Sequence, residues 1–554
     1  MTTADEASAT ALADRFWEDF LRLDPLVATE IGDERYDDRL PDPSEAGIAE
    51  RAAVARVALD DLQAIDRRAL DPELRVTLDM IETGSRRELE HVRHRIDRFD
   101  AVTHLFGPGN LLAELGTLQR ADTPERLDRY VGRLSAIPAY LDAVIDVARG
   151  GADAGQTQPA LVADRAIAQV ERLLAEDPST SPAMAPAVGA DDAGKARVAA
   201  TLRDEVWPAY GRYLDALRDY RRRTRESIGL GALDGGEEIY ASLLESFTTL
   251  QLKPKEVHET GVAELARIQE ERREIAERLG HTDADSAIAE YNATGRNTAG
   301  SREEMVRLVE DQVRRSWEAA PAWFGRLPRA NCDVRPVEEF READMPGAFY
   351  LSASADGSRP GIYYVNTGGF AERLLHHTAT TSYHEANPGH HFQLSIEREF
   401  EDRHPIRRFG SGLVGDAFVE GWGLYSERLA EEMGLFLSEY ERLGMLEADG
   451  FRCGRLIVDT GIHALGWDRE RAVRQMIETG SVRLDAEIEV DRYISWPGQA
   501  CAYKIGQLEI GRWRREATER EGAAFSLKAF HDRLLALGSL PMSTLEREVA
   551  SAPR

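Results

Sequence analysis

The stretch "SYHEANPGHHFQ", residues 382–393, sets a His-Glu pair, His384-Glu385, and a His-His pair, His390-His391, on either side of Asn387-Pro388-Gly389. In many zinc hydrolases two imidazoles one helical turn apart, H-E-x-x-H, project from one face, and the Glu between them acts on a water at the metal. Here the second imidazole is displaced to i+6 or i+7. On an unbroken helix His391 would share a face with His384 but stand roughly 10.5 Å along the axis, too far for one ion, and His390 would point away. The local chemistry supplies the remedy. Pro388 lacks an N–H and its ring collides with the carbonyl four residues back, that of His384, while Gly389 tolerates the backbone excursion. A bulge that absorbs two residues puts His390 where i+4 would fall. His384 and His390 are therefore the preferred metal ligands, His391 is the alternative, and Glu385 keeps the place of the general base.

Two imidazoles leave a zinc site incomplete, and a carboxylate on a following helix is the common complement. The segment "GDAFVEGWGLYSERL" offers Glu420 among Phe418, Val419 and Trp422, where an unpaired carboxylate is costly and a cation offsets the cost. A His2Glu set favours zinc, one Zn2+ ion, over harder divalent cations. Glu427, at i+7 from Glu420, and Asp416, at i−4, are candidates to hydrogen-bond a ligand histidine.

The chain has 554 residues, enough for two lobes, and its 42% hydrophobic and 30% charged content is that of a folded soluble protein. Expected lobes are a helical scaffold, 1–330, and a catalytic part, 331–554, interlocked around one cleft. A net charge of −29 repels phosphate backbones and anionic headgroups, so nucleic acid and membrane surfaces are excluded as partners; the oligomeric state is left open. The N-terminus, "MTTADEASATALADRFWEDF", carries neither a basic nor an apolar leader, and the expected compartment is cytoplasmic. Three scattered cysteines, Cys332, Cys453 and Cys501, suggest neither a disulfide framework nor a thiolate metal site.

Helical periodicity dominates residues 11–320, with starts such as Thr123-Pro124 and stops such as Gly280. The Pro/Ala/Ser/Gly-rich stretch 176–196 is the expected mobile loop. Two aromatic and β-branched runs in "GAFYLSASADGSRPGIYYVNT", 347–367, joined by "ADGSRPG", predict a small sheet just upstream of the metal motif. Beyond residue 371 the pattern returns to helix. The expected fold is mainly α.

At these residues the chain resembles the family known as domain of unknown function 885, whose hallmark is a His-Glu-x-x-Pro-Gly-His run followed by a Glu-Gly-Trp helix. The likeness extends to "THLFGPGN", "GEEIYASLLESFTTL", "RPGIYYVNT", "VDTGIHALGW" and "PGQACAYKIG". That family in turn resembles zinc peptidases of the thimet oligopeptidase, angiotensin-converting enzyme and thermostable carboxypeptidase type. The resemblance implies a large helical zincin-like fold with a deep cleft, a Glu on a later helix as third ligand, matching Glu420, and a late-helix tyrosine at the oxyanion, matching Tyr503. This sequence departs in the lengthened His-to-His spacing.

Arg452, Arg455, Asp459 and His463 follow one another at helical spacing, a polar stripe opposed by Leu456, Ile457 and Val458. On a cleft wall the arginines would bind a substrate carboxylate and His463 would face an oxyanion; a salt-bridged packed helix is the competing reading. Pro497 reads as a helix start that places Gln499 and Tyr503 on one face. An exposed strand edge could pair with an extended peptide, and Asn366 ends such a strand. The expected activity is zinc-dependent hydrolysis of peptide bonds, with hydrolysis of a small amide metabolite or a non-catalytic scaffold as alternatives.

Overall fold

The structure, a computed structural model, describes residues 4–339, 342, 345–353 and 359–551. Helix accounts for 71% of the chain and, among the described residues, strand forms one three-stranded sheet, so the fold is mainly α. The chain divides into two compact units, Met1–Ile239 with Asp491–Trp496, and Tyr240–Val490 with Pro497–Arg554. The division thus falls near 240 rather than near 330. The physical reason lies in the helices between those positions, which pack with elements that follow them in sequence.

In the first unit, helices α1 (Ala4–Leu23), α2 (Glu45–Gln63) and α3 (Pro72–His94) pack together, and α4 (Pro124–Asp153) packs with α5 (Trp207–Arg221). Thr123 caps α4, its hydroxyl accepting from the Arg126 N–H, with Pro124 in the first turn, as the sequence predicts. The stretch 176–196 differs from expectation. It forms short 3-10 turns, Pro178–Thr180 and Pro182–Ala187, and the start of a helix, Asp192–Thr201. Ala183 and Ala187 are fully buried, and the Tyr130 hydroxyl donates to the Ala183 carbonyl at 2.5 Å. Small side chains, not an absence of packing, erase the apolar periodicity there.

The second unit is built on α6 (Pro254–Leu279), α7 (Arg302–Ala319), α8 (Thr378–Glu385), α9 (His390–Arg398), α10 (Ala417–Glu432), α11 (Glu439–His463) and α12 (Gln499–Glu521). Helix α6 ends at Gly280, in the left-handed region that its position requires. It lies along α11, and α10 lies along α12; these are the most extensive helix pairings. The sheet has the order β1-β3-β2, with β1 (Cys332–Pro336) parallel and β2 (Ala348–Leu351) antiparallel to β3 (Gly361–Val365). The two expected runs are β2 and β3, while most of the turn joining them lies outside the described residues. Strand β1 was not anticipated: "CDVRP" is short, half polar and ends in proline. Helix α7 packs on β1 and α8, and so ties the sheet to the metal motif. Gln312 of α7 donates to the Thr378 hydroxyl at 2.9 Å and accepts from that of Ser382 at 2.8 Å.

Candidate metal centre

Residues 382–393 form two helices rather than one bulged helix. Helix α8 stops at Glu385, α9 starts at His390, and residues 386–389 turn the chain between them through a cis Asn387–Pro388 bond. The turn packs so closely on α8 that a Cβ on Gly389 would stand 1.8 Å from the His384 carbonyl oxygen and 2.4 Å from that of Tyr383. Helix α10 holds the turn from the other side. The Trp422 indole N–H and the Ser426 hydroxyl both donate to the Pro388 carbonyl, at 2.8 and 3.2 Å.

This fold-back brings the two imidazoles together, with ring centroids 4.6 Å apart and planes at 84°. The Nε2 atoms of His384 and His390 each lie 3.4 Å from Glu420 Oε2. One ligand atom from each of the three residues falls within 4.8 Å of the others. Gly423 makes room for the approach, because a Cβ there would meet the His384 ring at 2.6 Å. The glycines of "EGWG" are therefore steric requirements as much as helix weaknesses.

The electrostatics suit a cation. Burial opposes charge on His384, but Glu420 and Glu427 outweigh it and lift its pKa to about 9. Burial pushes Glu420 up, yet His390 and His384 bring it well below the ordinary carboxylate range. Glu427 accepts from His384 Nδ1 at 2.8 Å and from the Thr380 hydroxyl at 2.5 Å, with Arg452 Nη2 3.6 Å away. Holding the proton on Nδ1 turns the Nε2 lone pair of His384 toward the common point. Among the described residues the enclosed His390 Nδ1 has no partner, and it is Nε2 that faces Glu420. Donor type, convergence and oriented tautomer together fit one zinc ion.

Other sequence-predicted residues land elsewhere. His391 is not a second choice for the metal. Its ring is fully buried with Nδ1 3.0 Å from the Tyr350 hydroxyl and Nε2 3.1 Å from the Ala330 carbonyl, so both nitrogens are used in tying α9 to β2 and to the chain before β1. Asp416 accepts from the Gln499 amide at 2.7 Å, joining the start of α10 to α12. Gln499 is buried at that contact. Helix α12 starts after Gly498, whose N–H donates to Asp459 at 3.0 Å, and not at Pro497. Asn366 is fully buried and spends its amide on the Glu342 and Met345 carbonyls and the Gly368 N–H, pinning its own loop. Glu385 is half-buried beside the sheet; burial pushes the Cys332 thiol up to about 12, with the charges of Asp333 and Glu385 contributing to the rise.

The stripe on α11 is packed and paired. Arg452 faces Glu427; Arg455 donates to Glu489 at 3.1 Å and lies 4.4 Å over the Tyr503 ring; Asp459 accepts from the Tyr240 hydroxyl at 2.5 Å. His463 is fully buried and stacked on Tyr240, with centroids 5.2 Å apart. The arginines thus lie against carboxylates and an aromatic ring of the protein. Arg452 is nonetheless linked to His384 through Glu427, and Tyr503 lies beneath the next arginine along.

A second group, His376, His377 and Glu447, also brings three donor atoms within 4.8 Å. Adjacent histidines in "LLHHT" gave no helical spacing by which to find it. Hydrogen bonding explains it without a metal. The His376 N–H donates to Asn297 Oδ1 at 2.9 Å, which orients the amide so that its Nδ2 faces His376 Nδ1 at 2.8 Å. His376 Nδ1 is therefore the acceptor and Nε2 carries the proton, 3.0 Å from Glu447 Oε2. His377 Nε2 approaches the same oxygen at 3.1 Å, and Arg272 holds the other oxygen of Glu447 at 2.9 Å.

Comparison with known proteins gives the fold independent support. A crystal structure from Colwellia psychrerythraea, of a chain described as a "putative lipoprotein", superposes with a TM-score of 0.90 at 24% identity, covering 99% of each chain. One from Shewanella oneidensis, described as a "putative lipoprotein of unknown function", gives 0.76 at 21% identity over 98% of this chain and 100% of that one. At these identities the likeness establishes the fold alone. No curated protein matches. Residues 25–549 match the family described as bacterial protein of unknown function, DUF885, and the chain belongs to that family.

Proposed function

We propose that the chain is a zinc-dependent hydrolase that cleaves peptide bonds of oligopeptides, with His384, His390 and Glu420 holding one Zn2+ and with a zincin-like peptidase fold. The observation that carries this reading is the convergence of two imidazole Nε2 atoms on Glu420 Oε2, with a second carboxylate, Glu427, behind His384. When bound, zinc supplies Lewis-acid polarisation of a carbonyl and acidifies a water.

The chain's own groups do the rest. Glu427 fixes the tautomer and ring orientation of His384. Glu420 brings a negative charge that offsets part of the cation's. Glu385, next to the first ligand, takes a proton from the attacking water and returns it to the leaving amine. Tyr503, polarised by the Arg455 guanidinium over its ring, is the hydroxyl donor to the oxyanion, a role that the enclosure of His463 makes less suited to the histidine. The substrate is a peptide, with no nucleic acid or membrane partner. Among the described residues no helix is long and apolar enough to cross a membrane. A cytoplasmic setting remains our proposal, although both structural relatives are described as lipoproteins, and cell fractionation tests it.

The test combines metal quantification with a peptide-library digest read by mass spectrometry. Wild type should carry one zinc per chain and cleave peptides. His384→Ala should lose both, and Glu385→Gln should keep the metal but lose hydrolysis. Normal cleavage by Glu385→Gln would refute the assignment of the base.

A further inference from the structure

Strand β1 lies at the edge of the sheet, and among the described residues β3 is its only strand partner. The Val337 N–H donates to the Val365 carbonyl at 2.9 Å, just past the Pro336–Val365 pair. Alternation along a parallel ladder therefore gives the backbone groups of Asp333 and Arg335 to β3 and turns those of Cys332 and Val334 outward. Pro336, which has no N–H to offer, stands at the same outward parity. A cavity of ≈ 480 Å³ is lined by Glu310, Val313, Arg314 and Trp317 of α7, by Cys332–Arg335 of β1, and by Asn387 of the turn between His384 and His390. Asn387 is 1% exposed, and among the described residues its buried Oδ1 has no hydrogen-bond partner. A buried amide oxygen left unpaired is costly, and Asn387 is one of the residues that line the cavity.

We propose that an extended peptide backbone occupies this groove, pairing with the outward N–H and C=O of Val334, while Asn387 Oδ1 accepts an N–H of the same peptide beside the His384–His390 turn. The inference rests on the peptidase reading and names the subsite that would present the substrate. The length suits the occupant, since the five residues of β1 span about 16 Å, the reach of four to five extended residues. Main-chain pairing gives affinity without dependence on sequence, and the half-buried Trp317 and Val334 offer apolar contact to alternate side chains.

The test is hydrogen exchange of full-length, zinc-loaded Glu385→Gln protein with and without acetylated, amidated hexapeptides, read over residues 331–337. Slowed exchange there is expected. Val334→Pro, which removes an outward N–H that the sheet does not use, should weaken hexapeptide binding about 3- to 10-fold relative to Val334→Ala, the loss expected for one hydrogen bond. Asn387→Ala should weaken it similarly. Unchanged exchange, or equal binding by the two Val334 variants, would overturn the inference. The exchange measurement leaves β1 unmutated, so a misfolded variant does not remove the test. Wild-type cleavage of the hexapeptides without slowed exchange sinks this subsite and spares the peptidase reading. Slowed exchange without wild-type cleavage does the reverse, and absence of both sinks both.

Discussion

Replacing Glu427 with Gln keeps the side chain's shape and removes one buried charge from behind His384. The carboxylate accepts from His384 Nδ1 at 2.8 Å, a charge-assisted hydrogen bond. Such bonds contribute about 1.5–3 kcal/mol and neutral ones about 0.5–1.5 kcal/mol, so the exchange weakens the hold on the imidazole by about 1–1.5 kcal/mol. That is about tenfold in metal affinity. Arg452, 3.6 Å from the same oxygen, then faces a neutral amide and leaves an extra positive charge near the ligands. Both effects have the same sign, and the range for partners behind metal ligands is about 10- to 100-fold. The zinc dissociation constant of Glu427→Gln, measured by chelator competition near neutral pH with a thermal melt to confirm folding, should rise by that factor. A folded variant whose zinc affinity stays within about twofold of wild type, well below the tenfold expected, would refute the role given to Glu427.

Gly389→Ala should cost about 2–4 kcal/mol of stability and abolish stoichiometric zinc, since its Cβ would meet backbone atoms that cannot swing aside; calorimetry and metal analysis read both. His391→Ala should instead keep zinc while losing about 2–4 kcal/mol, through a buried cavity and two lost hydrogen bonds, which separates the neighbouring histidines experimentally. Burial lowers both His391 and His531 from 6.5 to about 4. The unfolded chain therefore takes up protons below pH 6.5 that the folded one refuses, and their contribution, complete above 6.5, is lost as pH falls toward 4. The slope is about 1.4 kcal/mol per pH unit for each histidine, and chemical denaturation from pH 6.5 downward should show it, less steeply in His391→Ala. Zinc binding near neutral pH should release a proton, because His384 is held protonated up to about 9 without the metal; calorimetry in buffers of different ionisation enthalpy measures the release.

What could be read from the sequence was local chemistry. The Pro388-Gly389 break and the convergence of His384, His390 and Glu420 were legible in helix chemistry, although the chain makes a turn between two helices there and not the expected bulge. What could not be read was pairing across elements. Asp416, Gln499 and Asn366 are polar residues at sensible offsets, yet each bonds to a partner tens of residues away, and no periodicity announces such partners. The α11 stripe was visible as a polar face, but only the packing of α12 and of Tyr240 against it shows that Arg455 and His463 are enclosed. Strand β1 was too short and too polar to show alternation, and the stretch 176–196 packs through alanines, which carry little hydrophobic signal.

In the proposed enzyme His384, His390 and Glu420 together hold one zinc ion. X-ray absorption at the zinc edge of the purified, zinc-loaded protein, paired with metal quantification, tests it most directly. One zinc per chain, with two imidazoles and a carboxylate oxygen in its coordination shell and with the imidazole signal lost in His384→Ala and His390→Ala, is the predicted result. Substoichiometric zinc after loading, or a shell unchanged by either substitution, would contradict it.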